Sequence, residues 1–115
     1  MKYLVLLYES EAAMEKLTPQ EGEQLMKKWF KVTDDLKTAG VHLAGDGLKP
    51  VSTATTVRIR NGKTVTTDGP FAETKEQLGG FYLIDVPNLE HAISWAEKMP
   101  TSLGGSTEVR PVMEY

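Results

Sequence analysis

Asp68 stands directly before Gly69-Pro70-Phe71, which puts its carboxylate on a stiff turn at a strand end, the placement a general base or ligand anchor needs. The same arrangement suits an Asx turn, in which the side chain accepts backbone N–H bonds, and the two roles are compatible. Arg110, and after it Arg58, offers a guanidinium fork to pair with Asp68 or to hold an anionic ligand; an ion pair at the sheet edge is the plainer reading. Histidine is the side chain that changes charge near neutral pH, which makes His42 the second candidate for moving a proton, beside its alternative as a hydrogen-bonded strand residue. Asp46, Phe71 and Tyr82 complete the candidate ligand site. The chemistry such a set supports is cofactor-independent proton transfer, isomerisation or elimination on a small organic acid. Asp68 or His42 would be the base and Arg110 the anion holder.

Other chemistries are disfavoured. The chain has no cysteine, and His42 and His91 lie far apart without H-x-H or H-x-x-x-H spacing, so neither a metal nor a cofactor is expected. Gly45-Asp46-Gly47 lacks the third glycine of a dinucleotide fingerprint, and Pro50 stands where the helix would open. Lys and Arg total 13 against 16 Asp and Glu, for a formal charge of -3, and the scattered cations offer no footprint for nucleic acid. The apolar opening Tyr3 to Tyr8 is followed by Glu9 and Glu11 without a small-residue cleavage pattern, so it reads as a strand and not as a signal peptide. Nothing approaches the roughly 18 apolar residues of a membrane span. A cytoplasmic protein with one globular domain over residues 1–115 is the expectation.

The elements that must position these residues follow from periodicity. Tyr3 to Tyr8 is apolar at odd and even positions alike, so both faces of that strand need cover. A helical turn is expected at Glu11 to Glu15. Thr18-Pro19-Gln20-Glu21 is a capped helix start, and Leu25, Met26, Trp29, Val32 and Leu36 form the apolar stripe of a helix that Gly40 ends. Val41 to Ala44 is a short strand carrying His42. Asn61-Gly62 marks a hairpin between Thr55 to Arg60 and Lys63 to Thr67. There the side-chain pattern favours a three-residue loop, Arg60 to Gly62, setting Val57 opposite Val65. Glu73, Thr74, Lys75 and Glu76 make a charged loop that is either functional or a solvated connection. Phe81 to Val86 is a second two-faced strand entered through Gly79-Gly80, with Tyr82 in core or dimer packing or in a cleft beside Tyr3 and Tyr8. Asn88 caps a helix with the stripe Leu89, Ala92, Ile93, Ala96 and Met99; in a last strand, Thr107 to Met113, Pro111 argues for an edge position or a bulge.

This order predicts an α+β fold, a ferredoxin-like sandwich of the βαβ-hairpin-βαβ type with an antiparallel sheet. Two helices cover one sheet face only. The other face would be an apolar patch too large for a soluble monomer, so a homodimer with facing sheets is expected.

The run DGPFAETKEQLGGFYLIDVP resembles the DGPF family within the YCII-related superfamily, together with the upstream Gly45-Asp46-Gly47-Leu48, Thr53-Ala54-Thr55-Thr56-Val57-Arg58 and the final Glu108-Val109-Arg110-Pro111. The resemblance spans Lys2 to about Val112. It implies a dimeric α/β-barrel, similar to muconolactone isomerase and monooxygenase relatives. It also implies bacterial proteins that often accompany extracytoplasmic-function sigma factors, which raises the alternative of a non-catalytic sensor or interaction module with a sigma factor as partner. YCII-like relatives are thought to use a His and Asp pair between sheet and helix; the helix Pro19 to Ala39 here contains no His, a departure from that pattern.

Overall fold

The computed structural model describes residues 1–101 and 104–115. Its elements are β1 (Lys2–Glu9), α1 (Glu11–Met14), α2 (Pro19–Thr38), β2 (His42–Gly47), a 3-10 turn (Val51–Thr53), β3 (Thr55–Arg60), β4 (Lys63–Asp68), β5 (Gln77–Asp85), α3 (Leu89–Ala96) and β6 (Ser106–Pro111). Four strands form one antiparallel sheet in the order β2-β5-β1-β6, while among the described residues β3 and β4 pair only with each other. This is the ferredoxin-like α+β sandwich that the element order predicts. Pro111 does lie on an edge strand, where its missing N–H costs no ladder bond.

Alternation along the two central strands divides the sheet. Tyr3, Val5 and Leu7 of β1 are buried beside Tyr82 and Ile84 of β5, and they meet Val32 and Leu36 of α2 and Ala92 and Met99 at α3. Leu4, Leu6, Phe81 and Leu83 share the opposite face, which carries no helix among the described residues, and are only half-buried. Among the described residues no helix is long and apolar enough to cross a membrane.

Helix α2 starts on a capping box. Thr18 Oγ1 accepts the Glu21 N–H at 3.1 Å, and Glu21 Oε1 accepts the Thr18 N–H at 3.0 Å. Hydrogen bonding from the Thr18 backbone N–H, and after it from the Thr18 side chain, holds the Glu21 carboxyl below the usual carboxylate range. The helix buries Leu25, Val32 and Leu36 as expected, but Met26 is 53% exposed and belongs to a second, neighbouring stripe. In α3, Asn88 Oδ1 accepts the His91 N–H at 3.1 Å. Of its expected stripe, Ala92 and Met99 are buried, whereas Leu89 and Ile93 remain exposed. Trp95 packs on the core instead, so the helix is turned toward the 92, 95, 99 spacing.

The hairpin register corrects the sequence expectation. Arg60 pairs with Lys63 across a two-residue turn in which Asn61 and Gly62 have φ of 53° and 75°. Val65 therefore opposes Arg58, and Val57 opposes Thr66. Both positive φ values belong to a type I′ turn, whose twist matches that of the strands. Neither face of the hairpin is packed, with Val57, Ile59 and Val65 all exposed, so turn geometry set the register without opposition from burial.

Candidate functional site

The absence of side chains on one strip of the sheet creates the main cavity. Beyond His42, the residues of β2 on the sheet face toward α2 are Gly45 and Gly47, and Gly79 and Gly80 adjoin them on β5. Nothing from the sheet fills the space beneath α2 at that edge. A cleft of about 920 Å³ results, walled by Met26, Trp29, Phe30 and Thr33 of α2, by Met14 of α1 and by Leu7 and Tyr82 of the sheet. This explains why α2 carries two stripes: one enters the core, and the other, with Met26 and the 63%-exposed Phe30, faces the cleft. Gly45 is required by close approach, since a Cβ there would stand 2.5 Å from Tyr82 Cδ1 and 2.9 Å from the Phe81 carbonyl oxygen.

Two polar features stand out on these apolar walls. The Thr33 hydroxyl donates to the Trp29 carbonyl at 3.0 Å, which uses its one proton. Tyr82 Oη, 2.6 Å from Thr33 Oγ1, must then be the donor of that pair, and its own lone pairs stay free to accept from a bound molecule. The second feature is Glu9, at the end of β1. Its Oε2 is buried without a hydrogen-bond partner among the described residues, as is Glu76 Oε1. Burial, and then the Glu76 carboxylate, push the Glu9 carboxyl above its ordinary range. Glu11, Glu15, Asp34 and Lys37 also line the cleft, so its charged wall is mainly carboxylate. Glu11 is tied in place, its N–H donating to Gln77 Oε1 at 2.9 Å and its Oε2 accepting the Val51 N–H at 3.1 Å.

The six residues singled out from sequence fall in four places. Tyr82 lines the cleft, and Asp46 borders it between Gly45 and Gly47 on a register that turns its side chain away from α2. His42 lies next to Tyr82, edge-on with ring centroids 6.0 Å apart, but outside the cleft lining. Asp68 ends β4 opposite Thr55 and is exposed, and the ring of Phe71 beyond it is 77% exposed. Arg110 sits on the open sheet face, where its Nε donates to Glu108 Oε2 at 2.9 Å. Asp46 and Arg110 share that face from opposite edges, on strands three spacings or about 14 Å apart and two residues out of line. Arg58 Nη2 donates to the Phe71 carbonyl at 3.2 Å.

Glu9, Thr33, Met26 and Phe30 are cleft residues that sequence reasoning passed over. Phe30 had a signal: it is a large apolar residue off the core stripe, one turn from Met26. Glu9 had none, because its neighbour Glu76 is 67 positions away. Among the described residues no three His, Asp or Glu side chains gather into a metal-holding set.

The family model described as YCII-related domain matches residues 1–115. An uncharacterized protein of Rhizobium meliloti (strain 1021) is 39% identical over 117 residues, covering 100% of this chain and 94% of the relative.

Proposed function

The chain belongs to the YCII-related family, and from that premise we propose that it is a small-molecule-binding protein whose site is the cleft between α2 and the β2 edge, with acid–base chemistry supplied by Glu9. One observation supports the reading: an apolar cleft of ligand size is lined by the half-buried Glu9, one of whose carboxyl oxygens is buried without a partner among the described residues and whose proton affinity is raised by burial. The ligand is a flat or partly apolar molecule, neutral or cationic, with a donor group that meets Tyr82 Oη and the carboxylates. Arg110, already paired with Glu108, does not serve it as an anion holder.

A thermal-shift screen contrasting amines and neutral aromatics with carboxylic acids tests this. A ligand at a hundred times its dissociation constant adds about 2.7 kcal/mol of stability. At Gly47 an added Cβ meets nothing nearer than the Gly79 carbonyl at 3.9 Å, so Gly47→Leu fills the cleft without breaking the sheet. Shifts that survive Gly47→Leu and Tyr82→Phe unchanged would remove the cleft from the proposal.

The same reading places two copies face to face through Leu4, Leu6, Phe81 and Leu83, whose side of the sheet has no helix. Light scattering at micromolar concentration should return twice the chain mass. The alternative, a non-catalytic module that docks a sigma factor through the Asp68 to Phe71 loop, is favoured by the exposure of Phe71. It predicts loss of that capture in Phe71→Ala and no ligand in the screen.

A further inference from the structure

Two hydroxyls meet in the wall of the cleft, and one arrangement of their protons satisfies both. Thr33 Oγ1 lies 3.0 Å from the Trp29 carbonyl oxygen and 2.6 Å from Tyr82 Oη. If Thr33 turned its proton to Tyr82, the Tyr82 proton would point among apolar walls where it has no acceptor in the described residues. A buried donor left unpaired costs more than a hydrogen bond gains. The relay therefore runs from Tyr82 to Thr33 to the Trp29 carbonyl, and it ends on a helix carbonyl, which has a second lone pair to give. The Tyr82 ring cannot swing away from it. The residue is 6% exposed, its Cδ1 fills the space that a Cβ on Gly45 would need, and His42 stands edge-on beside it.

We propose that Thr33 sets the ligand specificity of the cleft: by taking the Tyr82 proton it fixes Tyr82 Oη as an acceptor, so the cleft selects flat aromatic molecules that present an N–H or O–H there. Molecules of equal shape that present a bare acceptor are rejected. Met26, Trp29 and Phe30 supply the apolar walls against which such a ring lies. Thr33 is a positioning residue, because it acts on the ligand through Tyr82. The direction is imposed by α2, which carries both the hydroxyl and, four residues earlier, the carbonyl that closes the relay. Selection by an acceptor in an apolar wall is sharp: an acceptor set against it gains no bond, and both groups lose their water. The inference rests on the cleft being the ligand site and adds which hydrogen-bond polarity that site reads.

The test titrates the ¹⁵N-labelled full-length chain with indole and with benzofuran, two bicycles of nearly one shape of which only indole has an N–H, and follows the Trp29 Nε1–H signal by NMR. Indole should bind the parent about tenfold more tightly than benzofuran. Thr33→Val keeps the bulk and frees the Tyr82 proton to enter the cleft, so the preference should fall to about twofold or less. Thr33→Ser, which retains the hydroxyl, should keep it. Before any ligand is added, the tyrosine Raman doublet, taken as the difference between parent and Tyr82→Phe, should show a donating hydroxyl, and Thr33→Val should lose that signature. Equal binding of both probes beside Trp29 overturns the inference and leaves the cleft standing, as does a preference that Thr33→Val does not change. A Tyr82 hydroxyl that does not donate in the parent overturns it without any ligand. Binding of neither probe counts against the cleft itself and takes the inference with it.

Discussion

Glu9 has a carboxyl whose proton affinity the fold raises. Because burial and then Glu76 raise its proton affinity, the folded chain keeps a proton that the unfolded chain gives up above about pH 4.3. The stability tied to this group is complete below that point and declines as pH rises through the folded value. Glu9→Gln, neutral throughout, should therefore raise the unfolding midpoint relative to the parent near pH 7 and leave it close to unchanged near pH 4, as scanning calorimetry at the two pH values would show. At this scale the sequence was a partial guide. Tyr82 is in the cleft as a candidate should be, yet Asp68 stands exposed at the end of β4, paired with Thr55 and outside the cleft lining. A turn-forming Asp-Gly-Pro announces local geometry; what gathers around a carboxylate depends on contacts between distant positions, such as Glu9 with Glu76.

Among the elements, α2 does the most, since it closes the core with one stripe and walls the cleft with the next. Its start relies on the reciprocal Thr18 and Glu21 bonds, and Thr18→Ala should cost about 1 kcal/mol in denaturant-induced unfolding, without displacing the helix. That capping box, the Asn88 cap and the two-faced central strands were all readable in sequence because each is written in residues within one turn or one strand of each other. The hairpin register and the face of α3 were not. Both were inferred from which apolar side chains ought to be buried, and Val57, Ile59, Leu89 and Ile93 are all exposed in the single chain.

At the level of the whole molecule, stability concentrates in one thin layer between helices and sheet. Leu36 is fully buried there with Val5 and Ile84, and Leu36→Ala should cost about 2–5 kcal/mol in chemical denaturation, a large share of the 5–15 kcal/mol typical of a domain. The strand order has a consequence for how the chain comes into being. β1 is central, but its two neighbours are β5 and β6, the last strands to be made. On a ribosome adding roughly 5–20 residues per second, the apolar run from Tyr3 to Tyr8 has no sheet partner for several seconds at least. The nascent chain thus carries this apolar segment without a sheet partner, and depends on α2 or a chaperone to shelter it until Asp85 has emerged.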